Sequence, residues 1–287
     1  MSTTPTYLNN SAHKDLIREK WVEFIRECVS HDNGVGVITF PAEEMHDLYI
    51  FKNNGLIDWE ENETGTLTIT KGKVVCFEKR SKIFMTLSTK LVNAVVESQE
   101  IGSHLRQKYE GIMRGSERIF PVDAVNLDYD GNISKNKVPI DEKVDLIFKF
   151  QAVHKRSFSF FMTWPSTEDD DEEAYKSLLK KTISSNLKDP SAILFKEEFD
   201  KRYQSIDDLD YDNLSIIGLT KIVLKKASNS HFRLVKHECI VYGEEERRKM
   251  YSVLFNFEFQ EEQPENLIYS EVVVNSLSQV LRLAVNS

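Results

Sequence analysis

The sequence predicts an α/β fold: a mostly parallel sheet flanked by helices, Rossmann-like, with a C-terminal antiparallel hairpin. Two observations predict it. Val35–Phe40, Lys73–Glu78, Val122–Leu127 and Phe158–Thr163 are short, continuously apolar runs separated by segments of helical spacing. Parallel strands buried on both faces read this way. Two longer runs, Phe232–Tyr242 and Tyr251–Phe259, then flank Gly243–Lys249 and predict an antiparallel pair.

In chain order, Leu16, Ile17, Trp21, Phe24, Ile25 and Cys28 predict a helix from Ser11, a capping residue, to about Val29. The first strand breaks at Pro41, and Glu43 and Glu44 are expected to open a helix carrying Met45, Leu48 and Tyr49, since acids suit a first turn. Residues 58–72 contain a hairpin arm with Leu67 and Ile69 alternating. A long helix is expected from Ser81, with Ile83, Phe84, Leu87, Leu91 and Val95 on one face, and residues 103–119 are expected to be partly helical. Helical spacing returns through Val144, Ile147, Phe148 and Gln151, and again through Tyr175, Leu178, Leu179 and Ile183 after the acidic run Glu168–Glu173. Residues 191–227 read as helix with a break near Asp207–Asp212, and Leu267–Ala284 as a terminal amphipathic helix. The expected organisation is a tail and helix over 1–30, an α/β domain over 31–260, and a C-terminal helix over 261–287.

The totals narrow the function. At 287 residues, 40% hydrophobic and 29% charged, the chain suits one sizeable core. A formal charge of −9 disfavours a broad nucleic-acid surface. No run of 18 apolar residues predicts a membrane span, and the N-terminus lacks an apolar signal core. Cys28, Cys76 and Cys239 lie far apart without CxxC pairing, which fits free thiols in a cytoplasmic protein.

In an open parallel sheet, ligands bind outside the carboxyl ends of the strands. Those ends are Pro41–Glu43, Glu78, Asp128–Asn132 and Trp164–Ser166. Asn126, Asp128, Asp130, Gly131 and Asn132 also match the opening positions of a calcium loop, but the position of the bidentate Glu holds Lys137 and no helix precedes the loop. A polar turn is the simpler reading. His237 and Cys239 share a strand face at a spacing metals accept, without a second pair. No GxSxG, P-loop or HExxH occurs.

This layout resembles the class I S-adenosylmethionine-dependent methyltransferases over roughly residues 30–260. In VVCFEKR, Glu78 is similar to the acid that holds the cofactor ribose at the end of the second strand. LDYDG looks like the loop beside the methyl group and substrate, which implies a substrate-orienting role for Asp128 and Asp130. Pro41 and Trp164 take the places that would flank the cofactor. The chain departs from the family after its first strand, where FPAEE replaces a glycine-rich turn; without glycine the backbone cannot approach a ligand closely. The resemblance implies S-adenosylmethionine binding with weakened or lost activity. The alternative is a non-enzymatic subunit that binds a protein partner, or a second copy, through its terminal helices.

Overall fold

The computed structural model describes residues 12–30, 32–111, 118–129, 133, 138–165, 173–242 and 249–262. Its elements are α1 (Ala12–Cys28), β1 (Gly36–Thr39), α2 (His46–Asn53), β2 (Asp58–Glu61), β3 (Leu67–Lys71), β4 (Lys73–Phe77), α3 (Ser81–Lys90), β5 (Leu91–Val92), β6 (Val95–Glu97) and α4 (Ile101–Glu110). They continue with β7 (Ala124–Asp128), α5 (Ile140–Ala152), β8 (Phe158–Pro165), α6 (Glu173–Leu187), α7 (Ile193–Asp200), α8 (Tyr211–Asn229), β9 (Phe232–Tyr242) and β10 (Met250–Phe259).

The main sheet has the order β6-β4-β1-β7-β8-β10-β9. Its first five strands pair in parallel, and β10 runs antiparallel to both β8 and β9. This is the predicted Rossmann-like sheet with its terminal hairpin. Each strand feeds two cores because successive side chains point to opposite faces. Ile38, Val75, Phe77, Val125, Leu127, Phe160 and Met162 pack with α4 to α8. Val37, Val74, Cys76, Ala124 and Phe161 pack with α1, α2, α3 and the small β2-β3-β5 sheet.

α1 belongs to the second core. Phe161 of β8 stacks on Trp21 at 6.0 Å and meets the edge of Phe24 at 6.2 Å. On the other face Phe148 of α5 lies 5.0–5.7 Å from Phe158, Phe160, Phe232 and Phe257, tying that helix to three strands. Gly34 sets the start of β1: at φ 84° it lies so close to Gly72 that a Cβ would come within 2.5 Å of the Gly72 nitrogen.

Two expectations are corrected. The helix from Ser81 stops at Lys90, where Asn93 turns the chain with φ 61°. Leu91 and Val95 are therefore strand residues, β5 pairing with β3 and β6 with β4. Their four-residue spacing mimicked a helix face, while the β-branched Val92, Val95 and Val96 favour strand. Glu43 and Glu44 do not open a helix either. They sit exposed in a turn, and α2 begins at His46 after Met45, which takes φ 54°. The Gly243–Lys249 turn up to residue 248 and the helix expected at Leu267–Ala284 lie outside the described residues. No helix among the described residues is long and apolar enough to cross a membrane.

Candidate functional site at the carboxyl ends of the strands

The strand order reverses direction at β1, with β4 on one side and β7 on the other. Such a switch point is where a sheet of this type presents groups to ligands. Glu78, Asp128, Asp47 and Glu100 there each have a cation from the same chain.

Glu78 follows β4, its backbone N–H donating to the Glu97 carbonyl at 3.0 Å. Its side chain is only 5% exposed. Oε1 accepts from the backbone N–H and the Nε of Arg80 at 2.8 and 2.9 Å, and Oε2 accepts from an Arg80 terminal nitrogen at 2.8 Å. The Arg80 side chain itself is half exposed.

Asp128 ends β7 on the α1 face, where Lys14 Nζ donates to Oδ2 at 2.7 Å. Asp128 Oδ1, the Asn126 side-chain amide and the Tyr242 hydroxyl are buried without hydrogen-bond partners among the described residues. Burial, then the Asp128 charge, raises the Tyr242 phenol well above its ordinary range. Asp130 lies outside the described residues.

Asp47, in the first turn of α2, accepts from Arg18 Nε at 2.7 Å and from the Thr39 hydroxyl at 3.1 Å. Arg18 also reaches Asp15 at 2.8 Å. Burial opposes the charge on both cations, but Asp128 and Asp47 outweigh it for Lys14, as Asp47 and Asp15 do for Arg18, and both pKa values are raised.

On the opposite face Lys143 of α5 is 1% exposed and donates to Glu100 at 2.5 Å and to the Tyr129 hydroxyl at 3.0 Å. Glu100 also caps α4 through the Gly102 and Ser103 backbone N–H groups. Burial would raise the Glu100 carboxyl, yet Lys143 and these donors hold it below its ordinary range. Tyr129 and Asp128, adjacent in sequence, are thus each tied to a lysine from a different helical layer.

The structure brings Glu78, Asp128 and Pro41 to one end of the sheet. Pro41 is buried in the β1–α2 turn. Trp164 is placed differently: it is 2% exposed, on the core face with Phe160 and Met162, packed on Tyr251 at 5.7 Å. His237 is buried against Phe255 at 4.6 Å, and no cluster of three metal-ligating side chains occurs among the described residues.

No protein-family model matches this chain, and no curated protein does. Among solved structures it is similar to M. jannaschii TYW2 in complex with AdoMet, with a TM-score of 0.41 and 11% identity, over 88% of this chain and 78% of that one. A SAM-dependent methyltransferase from Methanosarcina mazei gives a TM-score of 0.38 at 9% identity, over 83% of this chain and 97% of that one. A protein from Rhodobacter sphaeroides described as a Zn-dependent alcohol dehydrogenase gives 0.36 at 11% identity, over 86% and 90%.

Sequence reasoning missed Lys14, Arg18, Asp47 and Lys143. A signal existed. Lys14 and Arg18 fall at four-residue steps on the stripe that continues through Trp21 and Ile25, and Lys143 falls between Ile140 and Val144 on that of α5. Charges on a core-facing stripe require buried partners.

Proposed function

We propose that this chain is a methyltransferase-like protein that keeps the ribose-holding acid of an S-adenosylmethionine site and has weakened or lost methyl transfer. The observation that carries this reading is the position of Glu78, a buried carboxylate at the end of the strand beside β1. A carboxylate only accepts hydrogen bonds, and a ribose diol offers two donors. Oε1 already accepts twice and Oε2 once, so a diol fits once the half-exposed Arg80 side chain turns away while its backbone N–H stays.

The amino-acid end of the cofactor does not fit these residues. A helix N-terminus favours an anion, but the first turn of α2 already contains the buried Asp47 carboxylate. Residues 40–45 contain no glycine, and Met45 is 1% exposed. No transfer step is therefore derived. Asp128 and Asp130 are proposed to orient the substrate group. Pro41 is proposed to line the cofactor side of the site. Trp164 supports it only through packing.

One observation favours a second reading, a non-enzymatic subunit that binds a protein partner or a second copy. Glu78, Asp47, Asp128 and Glu100 are neutralised from within, so the scaffold needs no ligand to settle their charges. α1 is taken up by the sheet, which leaves the C-terminal segment as the contact in this reading. In either reading the protein is cytoplasmic, with unbridged cysteines.

Calorimetry with S-adenosylhomocysteine separates the two. Weak binding is expected, reduced at least about tenfold in Glu78→Ala, since losing hydrogen bonds to a charged group costs about 1.5–3 kcal/mol. No heat with either S-adenosylhomocysteine or 5′-methylthioadenosine at millimolar concentration, or equal binding by the variant, sinks the cofactor-site reading.

A further inference from the structure

We infer that the carboxyl end of the sheet selects a nucleoside whose 5′ side carries no carboxylate; this rests on the reading of Glu78 as the ribose acid. Three acids, Glu43, Glu44 and Asp47, crowd the turn between β1 and α2, the first two exposed and the third buried. Both oxygens of Asp47 are engaged, Oδ1 by Arg18 and Oδ2 by Thr39. Arg18 is itself shared between Asp47 and Asp15, so this guanidinium is already committed to two carboxylates. The first turn of α2, His46 to Tyr49, holds no lysine or arginine.

The turn before α2 offers little in its place. Anion-binding turns present successive N–H groups to the ligand, and glycine permits that approach. Here the turn runs Phe-Pro-Ala-Glu-Glu-Met: Pro41 has no N–H to give, and the Met45 N–H is used by the Ala42 carbonyl at 3.1 Å. An incoming carboxylate would meet the two exposed carboxylates of Glu43 and Glu44 and few donors. A neutral 5′ substituent meets no such opposition, and a cationic one is drawn to Glu43 and Glu44. The tail that gives S-adenosylhomocysteine its anionic end is therefore a liability at this site, while the ribose remains the anchor.

The test is a pair of calorimetric titrations of the full chain, with 5′-methylthioadenosine and with S-adenosylhomocysteine, repeated on Glu43→Gln/Glu44→Gln. Both substitutions are at exposed turn positions, so the fold is retained. The wild type is expected to bind 5′-methylthioadenosine at least as tightly as S-adenosylhomocysteine, and the double variant to shift the ratio severalfold toward S-adenosylhomocysteine. Tenfold tighter wild-type binding of S-adenosylhomocysteine overturns this selectivity and leaves the Glu78 reading standing. An unchanged ratio in the double variant overturns the charge argument. Binding of neither ligand overturns both the selectivity and the Glu78 reading.

Discussion

Replacing Arg18 by methionine is expected to destabilise the protein by about 3–5 kcal/mol, read as a lowered urea midpoint at constant slope. Arg18 and Asp47 are 4% and 6% exposed at their side chains and meet at 2.7 Å. Without the guanidinium, Asp47 stays buried with the Thr39 hydroxyl as its donor, and an uncompensated buried carboxylate is costly. Arg18→Met with Asp47→Leu is expected to recover most of the loss, because a buried ion pair replaced whole by apolar side chains is often nearly neutral. A single-variant loss below about 1 kcal/mol, the range typical of exposed pairs, would show that the pair is solvated rather than buried.

The second large effect is a loss of stability in mild acid that originates at His237. This ring stacks on Phe255 at 4.6 Å, and neither nitrogen has a hydrogen-bond partner among the described residues. Burial pushes its pKa down to about 3. The unfolded chain takes up a proton there as pH falls below about 6.5, while the folded chain stays neutral. The His237 contribution is therefore undiminished above about pH 6.5 and is lost as pH falls from there toward 3, by about 1.4 kcal/mol per pH unit. His237→Leu is expected to remove this part of the slope, measured as urea midpoints between pH 7.5 and 5. A wild-type slope that the variant reproduces would place the acid sensitivity elsewhere, and not in Glu100. Its depressed carboxyl contributes stability that is present above about pH 4.3 and lost as pH falls through the folded value.

The sheet was legible because its strands are buried on both faces and so read as unbroken apolar runs. Residues 35–40, 73–78, 122–127 and 158–163 each contain or overlap a parallel strand. The short edge strands were not legible, since Leu91 and Val95 satisfy a helical and a strand pattern equally. Only the left-handed Asn93 decides between them, and its conformation leaves no mark in the spacing. The site was half legible. Glu78 and Asp128 could be placed because they end strands. Their cations could not, because Lys14 lies 114 residues from Asp128 and pairs with it only through the packing of α1 over the sheet. Trp164 shows the opposite failure: a position at a strand end does not say which face the side chain takes, and here it takes the core face with Tyr251.

The central claim is that Glu78 is a ribose acid held ready by Arg80. A crystal structure grown with saturating 5′-methylthioadenosine tests it most directly. The ribose diol is expected within hydrogen-bond distance of the Glu78 carboxylate, with the Arg80 side chain turned toward solvent and its backbone N–H still bound. A Glu78–Arg80 pair left intact, with the nucleoside seated elsewhere or absent, would contradict it.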